Sequence, residues 1–293
     1  ISHALEVLGH EVTTFQERRR HRMTDLMTTA RSRPFDFCLF HKWPDAAEVS
    51  EVSCIMPCVG WFFDMVRSVE NDPTLAARSQ CRIDWFDRVM PHCKLMFCTD
   101  GDWVADGPEW YRAKLRWLMQ GADERMAGFG DASRVASPGI SILFTGMINH
   151  GQRRAQHVAE LRAEFGGLFH VIGDSGPRNR LHGRNLADLF AATKIVVAPD
   201  GPQTDRYMSN RAVLTTSLGG FLLHPSCQVL QDLFMGAVKS YGSREQLADL
   251  IKFYLDRPKL REEIALDGYE YTLHHNLYRN RCEDLIAQVR AVP

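Results

Sequence analysis

The 293-residue chain has almost no net charge: 35 Lys and Arg stand against 36 Asp and Glu, giving −1 with histidine neutral. Bulk charge therefore gives no reason to expect attraction to nucleic acid or to an anionic membrane. No apolar stretch is long enough to cross a bilayer as a helix. The opening ISHALEVLGHEV lacks the basic flank and apolar block of a secretion signal. None of the eight cysteines belongs to a CxxC pair. The spacing of Cys54, Cys58, His92, Cys93 and Cys98 matches no zinc module. Cys38 and Cys98 sit inside apolar runs, where a thiol acts as a small buried hydrophobe. Reduced thiols and a cytoplasmic setting are expected. No GxGxxG follows a strand, which argues against a dinucleotide-dependent oxidoreductase.

What the chain does contain is a repeated alternation of apolar runs and helical patterns. Strands buried on both faces read as continuous apolar runs, and their alternation with helices indicates parallel sheets. The length suits two domains. In the first half, SHALEVLG reads as a helix ended by Gly9 and HEVTTFQ as a strand. A helix follows over about Arg18–Arg31, then the strand PFDFCLFH, the helix DAAEVSEV and the apolar run IMPCVGWFFD. A helix around Asp84–Met90 leads into KLMFCTD, and LRWLMQGAD repeats the theme. A helix before any strand is an unusual opening for an α/β domain, and it suggests an earlier strand ahead of Ile1. The Gly-, Ser- and Pro-rich stretch between about Glu124 and Gly139 marks a boundary. The second half restarts with ISILFTG, RRAQHVAELRAEF, LFHVIGDSG, NLADLFAAT, KIVVAPD, SNRAVLTTSLGG and GFLLHP. Two helices then break near Pro258, and a last helix begins at Tyr278. The expected division is 1–130, 131–276 and a terminal helix over 277–293.

Open parallel sheets bind ligands beyond the carboxyl ends of their strands, so strand ends form the shortlist of site residues. Ser209 can cap the helix that begins at Asn210 and Arg211, and the free N–H groups there favour a phosphate. Arg211 can grip a diphosphate with two bonds. Gly146 would let the backbone approach the same phosphates, with Arg153 or Arg154 in reach. A plain cap and a surface arginine fit the same residues. Gly173 and Asp174 form a Gly-containing turn, and turn geometry alone also explains it. Asp200 and Asp205 either hold sugar hydroxyls or belong to a solvated loop. In the first half, His41, Asp64 and Asp100 stand at strand ends as candidate bases, each equally readable as structural. The basic run Arg18, Arg19, Arg20, His21, Arg22 is either a solvated helix start or a cradle for an anionic ligand. Trp43, Trp61 and Trp103 near strand ends can stack on a ring or fill a core.

The order of these motifs carries a resemblance. The run YMSNRAVLTTSLGGFLLHP, followed by DRPKLREEIALDGYEYTLHHNLYRNRCEDL, resembles the CgeB-like branch of the group 1 glycosyltransferases, a spore-maturation group with the GT-B fold. ISILFTG and KIVVAPDG fall in the expected order. The likeness is specific from Ile140 to Leu285 and looser in LGHEVTTF, CVGWFFD, KLMFCTDGDWV and WLMQGAD. It implies two Rossmann-like domains facing each other across a cleft, with the C-terminal helix packing back toward the first. It further implies that the second domain binds a UDP- or GDP-linked sugar through Gly146, Arg153, Arg154, Ser209, Asn210 and Arg211. Gly173, Asp174, Asp200 and Asp205 would lie against the nucleotide or sugar, and no bound metal or other cofactor is expected. An acceptor would meet the first domain, where Arg18, Arg19, Arg20, Arg22 and Trp43 would suit an anionic one such as hydroxymethylated DNA. Asp64, His41 or Asp100 would serve as base if the reaction inverts configuration. One departure matters: many relatives carry a ribose-binding Glu three residues beyond the helix arginine, and here that residue is Leu214. Two other readings stand beside this one. A GT-B nucleotide-sugar epimerase would draw on His182 or His224, and a binding module would have no chemistry.

Overall fold

The computed structural model describes residues 1–15, 22–41, 44–67, 73–136, 139–148, 152–173, 181–199 and 204–292. The chain forms two compact units, one of 1–120 with 279–293 and one of 121–278.

The first unit is built on a parallel sheet of order β1-β2-β3-β4, with β1 Cys38–His41, β2 Cys58–Phe62, β3 Leu95–Cys98 and β4 Leu115–Trp117. β2 and β3 are buried at every residue, which is why their sequences read as unbroken apolar runs. The helices α1 (Ser2–Val7), α2 (Arg22–Ser32), α3 (Ala46–Ser53), α4 (Pro73–Val89) and α5 (Gly101–Asp106) accompany this sheet. Phe62, Phe86, Trp85, Trp103 and Tyr111 pack together in its core. Each such side chain contributes about 1.5–3 kcal/mol by leaving water. α4 is longer than the sequence pattern suggested, because Pro73 starts it at a position where a missing N–H costs nothing.

The expected strand HEVTTFQ does not form: residues 10–15 carry no regular structure. No described strand pairs with them, and β propensity without a ladder to join decides little. Glu11 and Thr13 instead accept from the two terminal nitrogens of Arg33.

The second unit holds β5 Ile140–Thr145, β6 Phe169–Ile172, β7 Thr193–Val197, β8 Leu222–Pro225 and β9 Lys239–Tyr241, all parallel in the order β6-β5-β7-β8-β9. Its helices are α6 (Gln152–Phe165), α7 (Arg184–Ala191), α8 (Arg211–Ser217), α9 (Gln228–Phe234), α10 (Arg244–Leu255) and α11 (Pro258–His275). Ile142, Phe144, Ile195, Val197 and Leu223 form the centre of its core. Ser243 caps α10 by accepting the Gln246 N–H at 3.2 Å, and Pro258 opens α11. α9 and β9 are too short for a sequence period to announce. Met235, left-handed at φ 49°, ends α9.

The strand order matters for function. Successive strands run outward from β5 in opposite directions, so the sheet reverses between β5 and β7. In open parallel sheets the carboxyl ends of the strands at such a reversal are where ligands bind. α12 (Tyr278–Ala291) closes the chain and, from Arg279 on, belongs to the first unit. It buries Cys282, Leu285, Ile286 and Val289.

Candidate functional site

In the second unit, the carboxyl end of β5 presents Thr145 and Gly146, and Arg211 comes to them from 65 residues further along the chain. The Arg211 Nε donates to the Thr145 carbonyl at 2.9 Å. Its Nη1 donates to the Ser209 hydroxyl at 3.2 Å, and its backbone N–H reaches the same oxygen at 3.3 Å. The guanidinium carbon lies 4.9 Å from the centre of the Phe144 ring. One carbonyl, one hydroxyl and one aromatic face thus hold the cation at the sheet reversal. Gly146 is the residue it lies against. Gly146 has φ 141°, and a Cβ built there would lie 2.5 Å from Arg211 Nη2. Only glycine supplies both that backbone conformation and that clearance.

Gly173 closes the other side. It follows β6 at φ 97°, with Gly146 so near that an added Cβ would stand 3.4 Å from the Gly146 nitrogen. The Gly146 N–H itself donates to Ile172 at 2.8 Å. Two glycine turns therefore lie side by side, that of Gly146 against the Arg211 guanidinium. Arg154, in the first turn of α6, donates to the Met147 carbonyl at 3.3 Å, so it borders the same turn. Arg153 is exposed beside it and acts on His157: burial first, then the Arg153 charge, holds that imidazole below its ordinary range.

Ser209 was expected to cap α8. Asn210 directly precedes α8 without a side-chain bond; the Ser209 hydroxyl accepts the backbone N–H of Arg211, as a cap does, and also receives its Nη1. α8 is only seven residues long. Its dipole is correspondingly small, and the positive character of the place comes from the arginine. Asp205 is exposed, and its carbonyl accepts the Val229 N–H at 2.8 Å, which ties the loop before α8 to the start of α9. Among the described residues the buried Thr204 hydroxyl has no hydrogen-bond partner. No sequence signal distinguishes this threonine from any other loop threonine. Asp174 and Asp200 lie outside the described residues. Leu214 is half-buried one turn into α8. His224 is buried at the end of β8, its Nδ1 2.8 Å from the Pro225 carbonyl, whereas His182 is exposed before α7.

In the first unit, His41 is the last residue of β1 and Asp64 follows β2, and both are exposed. His41 meets the Phe63 ring edge-on at 5.7 Å. Asp100 is different. It is 2 % exposed, and its two oxygens accept N–H groups from Trp103 at 3.0 Å, Val66 at 2.8 Å and Arg67 at 3.4 Å. Burial raises its pKa, against those three bonds, which lower it. That carboxyl caps α5 and clamps the turn after β2. Trp61 and Trp103 are core residues, because a buried strand centre and a helix first turn both face inward here. Sequence reasoning passed over Trp117, which ends edge strand β4 partly exposed and donates to the Thr99 carbonyl at 3.3 Å. Arg18, Arg19, Arg20 and Trp43 lie outside the described residues, as does the side chain of Arg22. Among the described residues no three His, Cys, Asp or Glu side chains gather as a metal site would require. No described helix is long and apolar enough to cross a membrane.

Two parallel-sheet units, one with a cation held against a glycine turn at a sheet reversal, define a two-unit α/β architecture, and comparison with known proteins narrows it. Residues 153–287 match the family model described as glycosyl transferase-like. No curated protein matches the chain by sequence. Among solved structures, sucrose-phosphate synthase from Thermosynechococcus elongatus is similar at 11% identity, covering 96% of this chain and 82% of its own with a TM-score of 0.64. A glycosyltransferase from Rickettsia africae ESF-5 is similar at 9% identity, covering 98% and 86%, TM-score 0.57. An alpha-glucosyltransferase in complex with UDP and a 13-mer DNA containing a HMU base is similar at 8% identity, covering 92% and 84%, TM-score 0.64. The fold is therefore that of GT-B glycosyltransferases, and residues 153–287 resemble a glycosyl transferase-like family in sequence.

Proposed function

We propose that this protein transfers a sugar from a nucleoside-diphosphate sugar to an acceptor hydroxyl, and that the second unit holds the donor. The observation that carries the reading is the Arg211 guanidinium held against Gly146 by Thr145, Ser209 and Phe144. When the glycosidic bond to the diphosphate breaks, negative charge develops on the leaving oxygen. A cation fixed in advance at that place stabilises it without reorganisation. Gly146 and Gly173 leave backbone room for the phosphates, and Arg153 and Arg154 add charge from α6. The loop bearing Thr204 and Asp205 is suited to nucleotide or sugar hydroxyls.

The acceptor belongs to the first unit in this reading. His41 and Asp64 are its exposed strand-end groups and are the bases if configuration inverts. Trp117 offers a ring for stacking. The acceptor is an anionic polymer such as hydroxymethylated DNA. The run Arg18–Arg22 in the sequence supports this, as does an architecture shared with a glucosyltransferase solved with DNA. Transfer to a DNA acceptor should fall steeply as salt rises, because released counterions dominate such binding.

Thermal unfolding against UDP, GDP, ADP, CMP and their sugar conjugates tests the donor site. A ligand that binds only the folded state raises the midpoint, by about 2.7 kcal/mol of stability at a hundredfold excess over Kd. One nucleoside diphosphate should raise it, and Arg211→Ala should abolish the rise. A rise that persists in Arg211→Ala refutes the site, and product formed from donor alone would favour the epimerase.

A further inference from the structure

Three thiols meet at the amino ends of the first sheet, the edge opposite His41 and Asp64. Cys38 opens β1 and Cys58 opens β2, directly opposite each other in the parallel register. Adjacent strands lie about 4.8 Å apart, inside the span of about 4.4–6.8 Å that a disulfide bridges between Cα atoms. The two thiols lie near enough to perturb each other's ionisation. Cys58 is 1 % exposed and also faces the Val49 carbonyl of α3 at 3.8 Å. Cys93 is 2 % exposed and turns its Sγ to the Val89 carbonyl at 3.3 Å. Cys38 is the least buried of the three, because β1 is the sheet edge.

We propose that Cys38 and Cys58 form a reversible disulfide site, with Cys38 as the entry point for a hydroperoxide. The Cys38 Sγ attacks the peroxide oxygen, the O–O bond breaks and one water leaves after proton uptake, giving a sulfenic acid. The Cys58 Sγ then displaces the sulfenic oxygen as a second water. Two thiols lose two electrons in all, and one hydrogen peroxide gains them.

The division of labour follows from the surroundings. The neighbouring Cys58 thiol lowers the pKa of Cys38, outweighing the effect of burial, and Cys38 in turn raises that of Cys58. Burial pushes Cys93 up to about 12, so it stays a thiol. Cys38 is thus both the more ionised and the more accessible thiol, the two features that select a site of oxidation. Cys54 and Cys81 are more exposed, but neither has a strand partner bearing a second thiol. The bridge would close the loop that carries α3, and cross-linking a loop of that size restricts the unfolded chain.

The test is a hydrogen peroxide titration of the reduced full-length chain, quenched by alkylation under denaturing conditions and read by peptide mass spectrometry. The first product expected is a peptide pair joined Cys38 to Cys58, reversed by dithiothreitol. The oxidised chain should unfold about 5 °C higher. Cys38→Ser, at the sheet edge, should lose both the cross-link and the rise, as should Cys58→Ala. Peroxide that first consumes Cys54 or Cys81 while Cys38 remains alkylatable overturns the proposal. So does a stability rise that survives in Cys38→Ser.

Discussion

Replacing Gly146 by alanine separates the geometry of the donor site from its charge. Two costs arise at once. A non-glycine residue at φ 141° stores strain of about 1–3 kcal/mol. The added Cβ also meets Arg211 Nη2 at 2.5 Å and the Phe144 ring at 3.3 Å. The guanidinium is the softer neighbour, but it can retreat only by stretching its bonds to Thr145 or Ser209, each worth about 0.5–1.5 kcal/mol net. Gly146→Ala should therefore lose about 2–4 kcal/mol in total, or roughly 5–15 °C in midpoint for a unit of this size. Displacing the guanidinium should also weaken diphosphate binding by the value of a charge-assisted hydrogen bond, about 1.5–3 kcal/mol, or roughly 10–150-fold. Arg211→Ala should weaken binding as much while costing less stability, because it adds no strain. The double variant then decides the matter. With the arginine gone the added methyl has less to strike, so the stability loss of the double variant should fall short of the sum of the two single losses. Thermal unfolding with and without a nucleoside diphosphate gives all four corners of the cycle. Strictly additive losses, or a Gly146→Ala protein that binds nucleotide as the parent does, would refute the contact.

Asp100→Ala should unfold the first unit more easily by about 2–4 kcal/mol, since α5 loses its cap and the Val66 N–H is stranded. Asp100→Asn should recover only part of that, because an amide nitrogen cannot accept the second N–H; equal midpoints for Asn and Asp would contradict the assignment. His157 should make stability pH-dependent. Its folded pKa is depressed, so between that value and about 6.5 the unfolded chain binds more protons, and stability falls as pH drops through this window. His157→Gln should flatten the slope. In the reading of Arg153 as a phosphate contact, an anionic ligand there should shift the imidazole titration upward, visible by NMR.

Much of the fold was legible because burial on both faces writes itself plainly. β2, β3, β5 and β7 are apolar runs whether or not their neighbours are known, and Ser243 and Pro258 mark helix starts by local chemistry alone. Gly146 and Arg211 were visible as residue types at strand and helix ends. The failures share one cause. HEVTTFQ has strand propensity, but among the described residues no strand pairs with it, and propensity is silent about partners. Trp61 and Trp103 differ from Trp117 only in which side of the backbone faces the core. Ser209 was legible as a cap because caps are local, and its hydroxyl does accept the Arg211 N–H; that it also receives the Arg211 side chain, which reaches on to the Thr145 carbonyl, was not.

The sequence by itself determined the alternating elements, the two parallel sheets and the shortlist of strand ends, because these follow from period, burial and turn chemistry within a few residues. Only the tertiary structure decided that Arg211 lies over Gly146 at the reversal between β5 and β7, that Asp100 is spent on backbone N–H groups, and that Cys38 faces Cys58. Each of those depends on strand order and register, which join residues far apart in the chain through hydrogen bonds that no local pattern encodes.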